Sequence, residues 1–260
     1  MSVVSALKGL IAIERLGAVI TIVKGPDIGE KAVIDAERGL IAGELPGLIC
    51  DDVLSDALEL MEHEQNRTLT YANREIFIET VAPPPVLLIF GAGHIAQPLT
   101  VMASLLGFRV IVSDARAQWA TPERFPDVDE LIIGWPESVF GRVPLDRRTY
   151  VVLLSHDVRF EDPVFLEVRR ASIRYIGVMG SRRTHRERKK RLVAQGWSEE
   201  EICRIQGPVG LDIGAETPEE IAVSILAEMV QIRYGHGTGL SLRGTKGRIH
   251  AQRGEEVGTT

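Results

Sequence analysis

Gly91-Ala92-Gly93-His94-Ile95-Ala96 ends a continuous apolar run, VLLIF (86–90), and leads into helical patterning. In Gly-x-Gly-x-x-Ala spacing, Gly91 permits a sharp turn, Gly93 lets backbone approach a phosphate, and Ala96 lets the helix lie close to the strand. A helix N-terminus presents unpaired N–H groups and a partial positive charge. The chemistry is therefore anion binding rather than bond breaking. An ordinary dinucleotide turn has no need of His94; its ring is a candidate donor or ligand, the alternative being an exposed first-turn residue. Asp114 ends the next apolar run, about 20 residues on, where an acid can accept from a ribose diol. Arg116 could instead meet a phosphate. For this pair the plain alternative is a strand-end ion pair, and for the turn it is packing without a ligand.

Two other polar groups fall where strands should end. Ser155-His156-Asp157 could transfer a proton or position a ligand, or Asp157 could start a turn while His156 bonds to backbone. Gly180-Ser181-Arg182-Arg183 combines an N-capping serine with two arginines, a plausible second anion site. Residues 182–191 carry seven Lys/Arg, which read mainly as a solvated helix face; nucleic-acid binding is the alternative, without aromatic stacking residues to support it. Gly207-Pro-Val-Gly-Leu-Asp212-Ile-Gly214 must turn sharply or meet a ligand. Cys50 could be a nucleophile or ligand, but reads more simply as a buried thiol. Tyr-x-x-x-Lys, Gly-x-Ser-x-Gly, His-Glu-x-x-His and Cys-x-x-Cys are all missing from the sequence, and the two cysteines have no metal-type spacing.

The elements that must position these residues divide at Pro83-Pro84-Pro85, three prolines that strip the backbone of donors and favour an extended connector. Residues 1–82 read as a small α+β module: strands at 18–23, 31–36 and 74–80, and a helix over 51–63 with Val53, Ala57, Leu60 and Met61 on one face. Residues 83–235 read as apolar strands (86–90, 108–114, 130–134, 149–155 and 173–179) alternating with helices. Strands apolar on both faces imply a parallel sheet covered on both sides, hence a doubly wound, Rossmann-like α/β fold. Leu99, Met102, Ala103 and Leu106 should form the inward face of the helix after the glycine turn. Pro98 requires that helix to begin late or bend. Thr217-Pro218-Glu219-Glu220 is a capping box opening a last helix to about Tyr234, continued by Ile221, Ile225, Ala227, Glu228 and Ile232. Residues 236–260 read as a mobile tail.

The totals narrow the function classes. A net charge of −6 argues against nucleic acid as the main partner. No apolar run reaches the ~18 residues of a membrane span, and the N-terminus lacks signal-peptide character. Two distant cysteines fit a reducing cytoplasm.

In order along the chain, PPPVLLIFGAGHIAQPL, SDARAQWATPERFP, LLSHD, YIGVMGSRR and GPVGLDIGAETPEEIAVSILAEM resemble the xanthine dehydrogenase accessory factor (XdhC/CoxI) family over about residues 83–233. The resemblance implies a cytoplasmic maturation factor that binds the molybdenum cofactor, as molybdopterin or its dinucleotide, and helps insert it into a molybdenum hydroxylase such as xanthine or carbon monoxide dehydrogenase. It also implies a Rossmann-like domain, a homodimer and concert with a sulfurase. The N-terminal match is poorer: where the family carries Gly-Ser…Gly-Gly-Cys-x-Glu, this chain keeps Cys50 and following acids but not the paired glycines. On this reading Gly91, Gly93 and His94 meet the phosphate and Asp114 a ribose or pterin edge, while His156, Asp157, Ser181, Arg182 and Asp212 line the rest of the cleft. The alternative is an NAD(P)-dependent oxidoreductase with His156 as acid–base group.

Overall fold

A computed structural model describes residues 2–245, apart from 48, 144 and 236. Its first sheet is antiparallel, built from β1 (Gly17–Lys24), β2 (Lys31–Asp35), β3 (Gly39–Gly43), β4 (Arg67–Tyr71) and β5 (Arg74–Val81) in the order β3-β2-β1-β5-β4. Alternation along β1 and β2 sends residues to two different covers. Ala18, Ile20, Ile22, Ala32 and Ile34 pack against α2 (Cys50–Glu62), whose buried residues are the expected Val53, Ala57, Leu60 and Met61. Val33 faces the other way, onto Ala6 and Leu10 of α1 (Val3–Ala12). The sequence pattern alone does not show α1, β3 or β4. β4, RTLTY, alternates exposed threonines with half-buried Arg67 and Leu69 and a buried Tyr71, a faint contrast in residue type; α1 is held by a cap, Ser2 Oγ accepting from the Ser5 N–H at 3.2 Å.

The second sheet is wholly parallel: β6 (Val86–Phe90), β7 (Arg109–Asp114), β8 (Glu130–Ile133), β9 (Thr149–Leu153), β10 (Tyr175–Val178) and β11 (Ile205–Gln206), ordered β11-β10-β9-β6-β7-β8. This is the doubly wound order, reversing direction between β6 and β9. Two cores explain why its strands are apolar throughout. Leu87, Ile89, Val110, Val112 and Val152 face α3 (Ala96–Leu105) and α8 (Pro218–Tyr234). Leu88, Phe90, Ile111, Val151 and Leu153 face the layer of α4 (Glu137–Phe140), α5 (Val158–Arg170), α6 (Arg182–Ala194) and α7 (Glu199–Cys203).

Several expectations change. The sixth strand, β11, pairs only Ile205 and Gln206 with β10 and is too short to carry a pattern. β9 stops at Leu153 and β10 starts at Tyr175, because Leu154 and Ser155 leave the sheet to turn while Ile173 packs in the core without pairing. Pro98 is the third residue of α3, so the helix does begin late. Leu106 is not inward: it is the C-cap residue, past the last turn, and 44% exposed. The capping box at Thr217 and Glu220 forms as read. Of the stretch 236–260, residues 236 and 246–260 lie outside the described residues; Leu242–Gly244 forms a short 3-10 turn. Among the described residues no helix is long and apolar enough to cross a membrane.

Three arginines beside the parallel sheet reach the end of α2. Arg174 donates to the Glu62 carbonyl at the end of α2, Arg233 pairs with Glu64, and Arg147 lies 3.8 Å from the Glu62 carboxylate.

Candidate functional site

The parallel register puts every strand exit on one edge. Phe90 pairs with Ser113 on one side and Leu153 on the other, and Leu153 with Val178. The next residues, Asp114, Gly91, Leu154 and Met179, therefore line the carboxyl edge, where doubly wound sheets take their ligands. Gly91 has φ +111°, and a Cβ there would come within 3.2 Å of Leu154 and Ser155 backbone at the strand-order reversal. Only glycine fits that backbone. Gly93 differs: a Cβ on it would meet no atom within 4 Å. Packing does not require its bareness, which leaves room for an outside group. Gly93 and His94 have backbone N–H groups with no acceptor among the described residues. Ala96 is fully buried under the helix start.

Asp114 is 1% exposed and its carboxylate is fully committed. Oδ2 accepts from the Ala92 N–H at 2.8 Å and from Arg116 Nη2 at 2.7 Å; Oδ1 accepts from the Arg116 N–H and Nε, both at 2.9 Å. A carboxylate offers about four acceptor positions, and all four are filled. Burial alone would push the Asp114 carboxyl up, but these bonds outweigh it and hold the group below the usual carboxylate range. The ion pair given as the alternative reading exists, and it also clasps the glycine turn. A ribose diol reaches Asp114 only by displacing Arg116.

Three residues that the sequence pattern did not single out complete this corner. Arg124 donates from Nη1 to the carbonyls of Ala92 (2.8 Å) and Trp119 (2.6 Å) and from Nη2 to Gln97 Oε1 (3.0 Å). These acceptors are uncharged, so its positive charge stays beside the turn. The Trp119 ring has Arg124 at 4.8 Å, Arg116 at 5.3 Å and the His94 ring edge-on at 5.4 Å. A tryptophan set among two arginines and a glutamine just after Asp114 was the available signal. His94 itself is exposed.

The remaining strand ends are mostly structural. Asp157 N-caps α5 through the Arg159 N–H (2.9 Å) and pairs with the Arg159 side chain (2.7 Å). Asp157 thus starts a helix, and His156 is exposed beside it. Ser181 caps α6 as read, accepting from the Thr184 N–H at 3.1 Å, and Gly180, at φ +144°, would press a Cβ against Thr184. Arg182 and Asp212 form a surface pair at 4.0 Å that joins α6 to the 207–214 loop. That loop turns sharply for packing reasons: a Cβ would run into the His185 ring at Gly207 and Ser224 Oγ at Gly210. Glu228, an acid set between apolar positions of α8, accepts from the Gly210 N–H (3.1 Å) and the Tyr175 hydroxyl (2.6 Å).

The basic helix is mainly a solvated face, with one exception. Most of its cations are exposed, but Arg188 is 2% exposed. It bonds Glu161 and the Met179 carbonyl. Clefts of about 680 Å³ (Phe140, Pro163, Leu166, Trp197) and about 750 Å³ (Arg15, Leu58, Glu62, Arg148, Arg174) lie away from the glycine turn.

Known proteins with this pattern fall on the same segment. Residues 87–229 match the family model of the XdhC Rossmann domain. Over 158 residues the chain is 36% identical to a probable xanthine dehydrogenase subunit of Bacillus subtilis (strain 168), covering 61% of this chain and 46% of that protein. Over 106 residues it is 38% identical to the molybdenum cofactor insertion chaperone PaoD of Escherichia coli (strain K12), covering 38% of this chain and 33% of that protein. The chain thus spans less than half the length of these curated relatives. A crystal structure described as a xanthine dehydrogenase from Bacillus halodurans shares the fold, with TM-score 0.53 and 20% identity over 93% of this chain and 98% of that one. With the strand order, the glycine turn and more than half of its residues matched, the chain belongs to the XdhC Rossmann-domain family.

Proposed function

We propose that this protein is a maturation factor that carries the molybdenum cofactor, or a related nucleotide, to a molybdenum hydroxylase. The observation that carries the reading is the bare turn at Gly93: two unpaired N–H groups, no packing need for glycine, and the Arg124 charge fixed alongside. A molybdopterin carries a phosphate and its dinucleotide forms carry two, so the turn suits the cofactor's phosphate. Gly91, Gly93 and His94 would hold that end, with Arg116 and Arg124 supplying charge; Ser181, Arg182 and Asp212 would form the far rim. Asp114 clasps the turn in this scheme rather than touching the ligand. The likeness to PaoD, a molybdenum cofactor insertion chaperone, supports the same role. Carrying needs binding and release, and a site without an assembled acid–base set serves that. The reading extends to a cytoplasmic homodimer that docks on its target enzyme and on a sulfurase, with residues 1–82 as a separate module.

Native mass spectrometry of protein from cells that make the cofactor reads ligand mass and oligomer together. A bound pterin is the expected result. Protein that neither carries nor takes up pterin, while a host molybdoenzyme matures normally without it, would sink the proposal.

A second reading, an NAD(P)-dependent oxidoreductase, draws support from the doubly wound strand order. Calorimetry with nicotinamide nucleotides and turnover of a carbonyl panel separate the two, because binding without turnover favours a carrier.

A further inference from the structure

We infer that Arg116 is a specificity-determining residue: the corner at the end of β7 takes a phosphate monoester and rejects a vicinal diol. This rests on the glycine turn being a ligand site, as proposed above, and adds which chemistry its second subsite reads. In doubly wound folds the residue at the end of the second strand meets the group next along from the phosphate at the turn; an acid there accepts from a ribose diol, whereas an arginine accommodates a phosphate. This chain has both, and the geometry decides between them.

Asp114 is the natural diol acceptor, yet it is 1% exposed and each of its acceptor positions is filled, two of them by the Arg116 side chain. The remaining two bonds come from backbone, at Ala92 and Arg116, and persist whatever side chain stands at 116. Arg116 is the member that faces outward, its side chain 55% exposed. Nε and Nη2 are bound to Asp114, which fixes the plane of the guanidinium and leaves Nη1 free of any described acceptor. Trp119 lies 5.3 Å from its central carbon and restrains it further. One carboxylate faces two guanidiniums here, because Arg124 is tied to carbonyls and a side-chain amide. The corner therefore holds a surplus positive charge. A diol finds the Asp114 acceptor positions already filled, while a phosphate dianion needs donors and charge and finds both.

The test uses 2′,5′-ADP and 5′-AMP, which differ only in a phosphate or a hydroxyl at the ribose 2′ position, titrated into the full chain by calorimetry. The native protein should bind 2′,5′-ADP at least tenfold more tightly. Arg116→Gln removes the cation and frees two acceptor positions on Asp114, so the preference should vanish or reverse towards 5′-AMP. Arg116→Lys keeps the charge and should keep part of the preference. An unchanged melting temperature shows that each variant is folded. Equal binding of the two probes, binding of neither, or a preference that survives Arg116→Gln would overturn the assignment. Pterin retention is read separately: protein that carries pterin but fails here loses only the corner assignment, and protein that passes here but carries none loses the carrier role.

Discussion

The Arg188 guanidinium grips the Glu161 carboxylate in a two-point contact, Nη2 to Oε1 at 2.7 Å and Nε to Oε2 at 3.1 Å, with both side chains at most 3% exposed. Arg188 also donates to the Met179 carbonyl at 3.0 Å, just before Gly180. The pair therefore pins α6 to α5 and fixes the exit of β10 at the ligand edge. Removing Arg188 takes away the two-point contact and leaves the buried Glu161 carboxylate with Arg191 alone. Arg188→Met should lower unfolding free energy by about 3 kcal/mol in urea titrations. Because Arg191 still pairs with Asp162 at 3.2 Å, the double change Glu161→Leu with Arg188→Met should regain most of that loss. If the double variant is as unstable as the single, the pair is not what holds these helices.

Acid should act through the same carboxylate. Burial alone would raise the Glu161 pKa, but bonds from Arg188 and Arg191 outweigh it and lower the group from 4.5. A depressed acid stabilises the fold above its unfolded value, and that contribution fades as pH falls through the folded value. Asp114 follows the same sign from 3.8. Melting temperature should hold level from neutral pH to about 5 and drop below about 4.5, with a shallower drop in the Glu161/Arg188 double variant.

The two glycines of the turn should separate stability from binding. Gly91→Ala forces a side chain into φ +111° and against the Leu154–Ser155 backbone, a strain of about 1–3 kcal/mol. Gly93→Ala puts a methyl group into open space, so its melting temperature should match the parent while pterin carried through purification falls several-fold. Retention unchanged in Gly93→Ala would remove the ligand from the turn.

His94 and Arg124 should both affect retention, but only one of them stability. His94 is exposed and touches Trp119 only edge-on, so His94→Ala should leave melting nearly unchanged and weaken cofactor retention. Arg124 spans Ala92, Trp119 and Gln97, so Arg124→Ala should lower both. Arg124→Lys should not rescue it, since one ammonium cannot reproduce the planar fork.

Legibility in the sequence followed the range of the forces involved. β6 to β10 were readable because burial on both faces makes them apolar without a break, and α2 and α8 because of a buried stripe and a capping box. β11 was not, since two residues show no period, and β4 was not, since its alternation sets Arg67 and Leu69 against threonines and so is faint in residue type. At the site, Gly91 and Ser181 could be placed from local geometry. The saturation of Asp114 needed the positions of Ala92 and Arg116 together, and Arg188 looked like its solvated neighbours until Glu161 appeared across from it. Long-range polar partners leave no spacing in the chain.

Helix α8 ties two distant segments together. Ser224 and Glu228, at its middle, hold the 207–214 loop through the Leu211 carbonyl and the Gly210 N–H, and Arg233, in its last turn, grips Glu64 beyond α2. Seventeen helical residues make a rod about 25 Å long. One stiff element therefore couples the segment that follows α2 to the loop that carries Asp212, and a displacement at either is shared by the other.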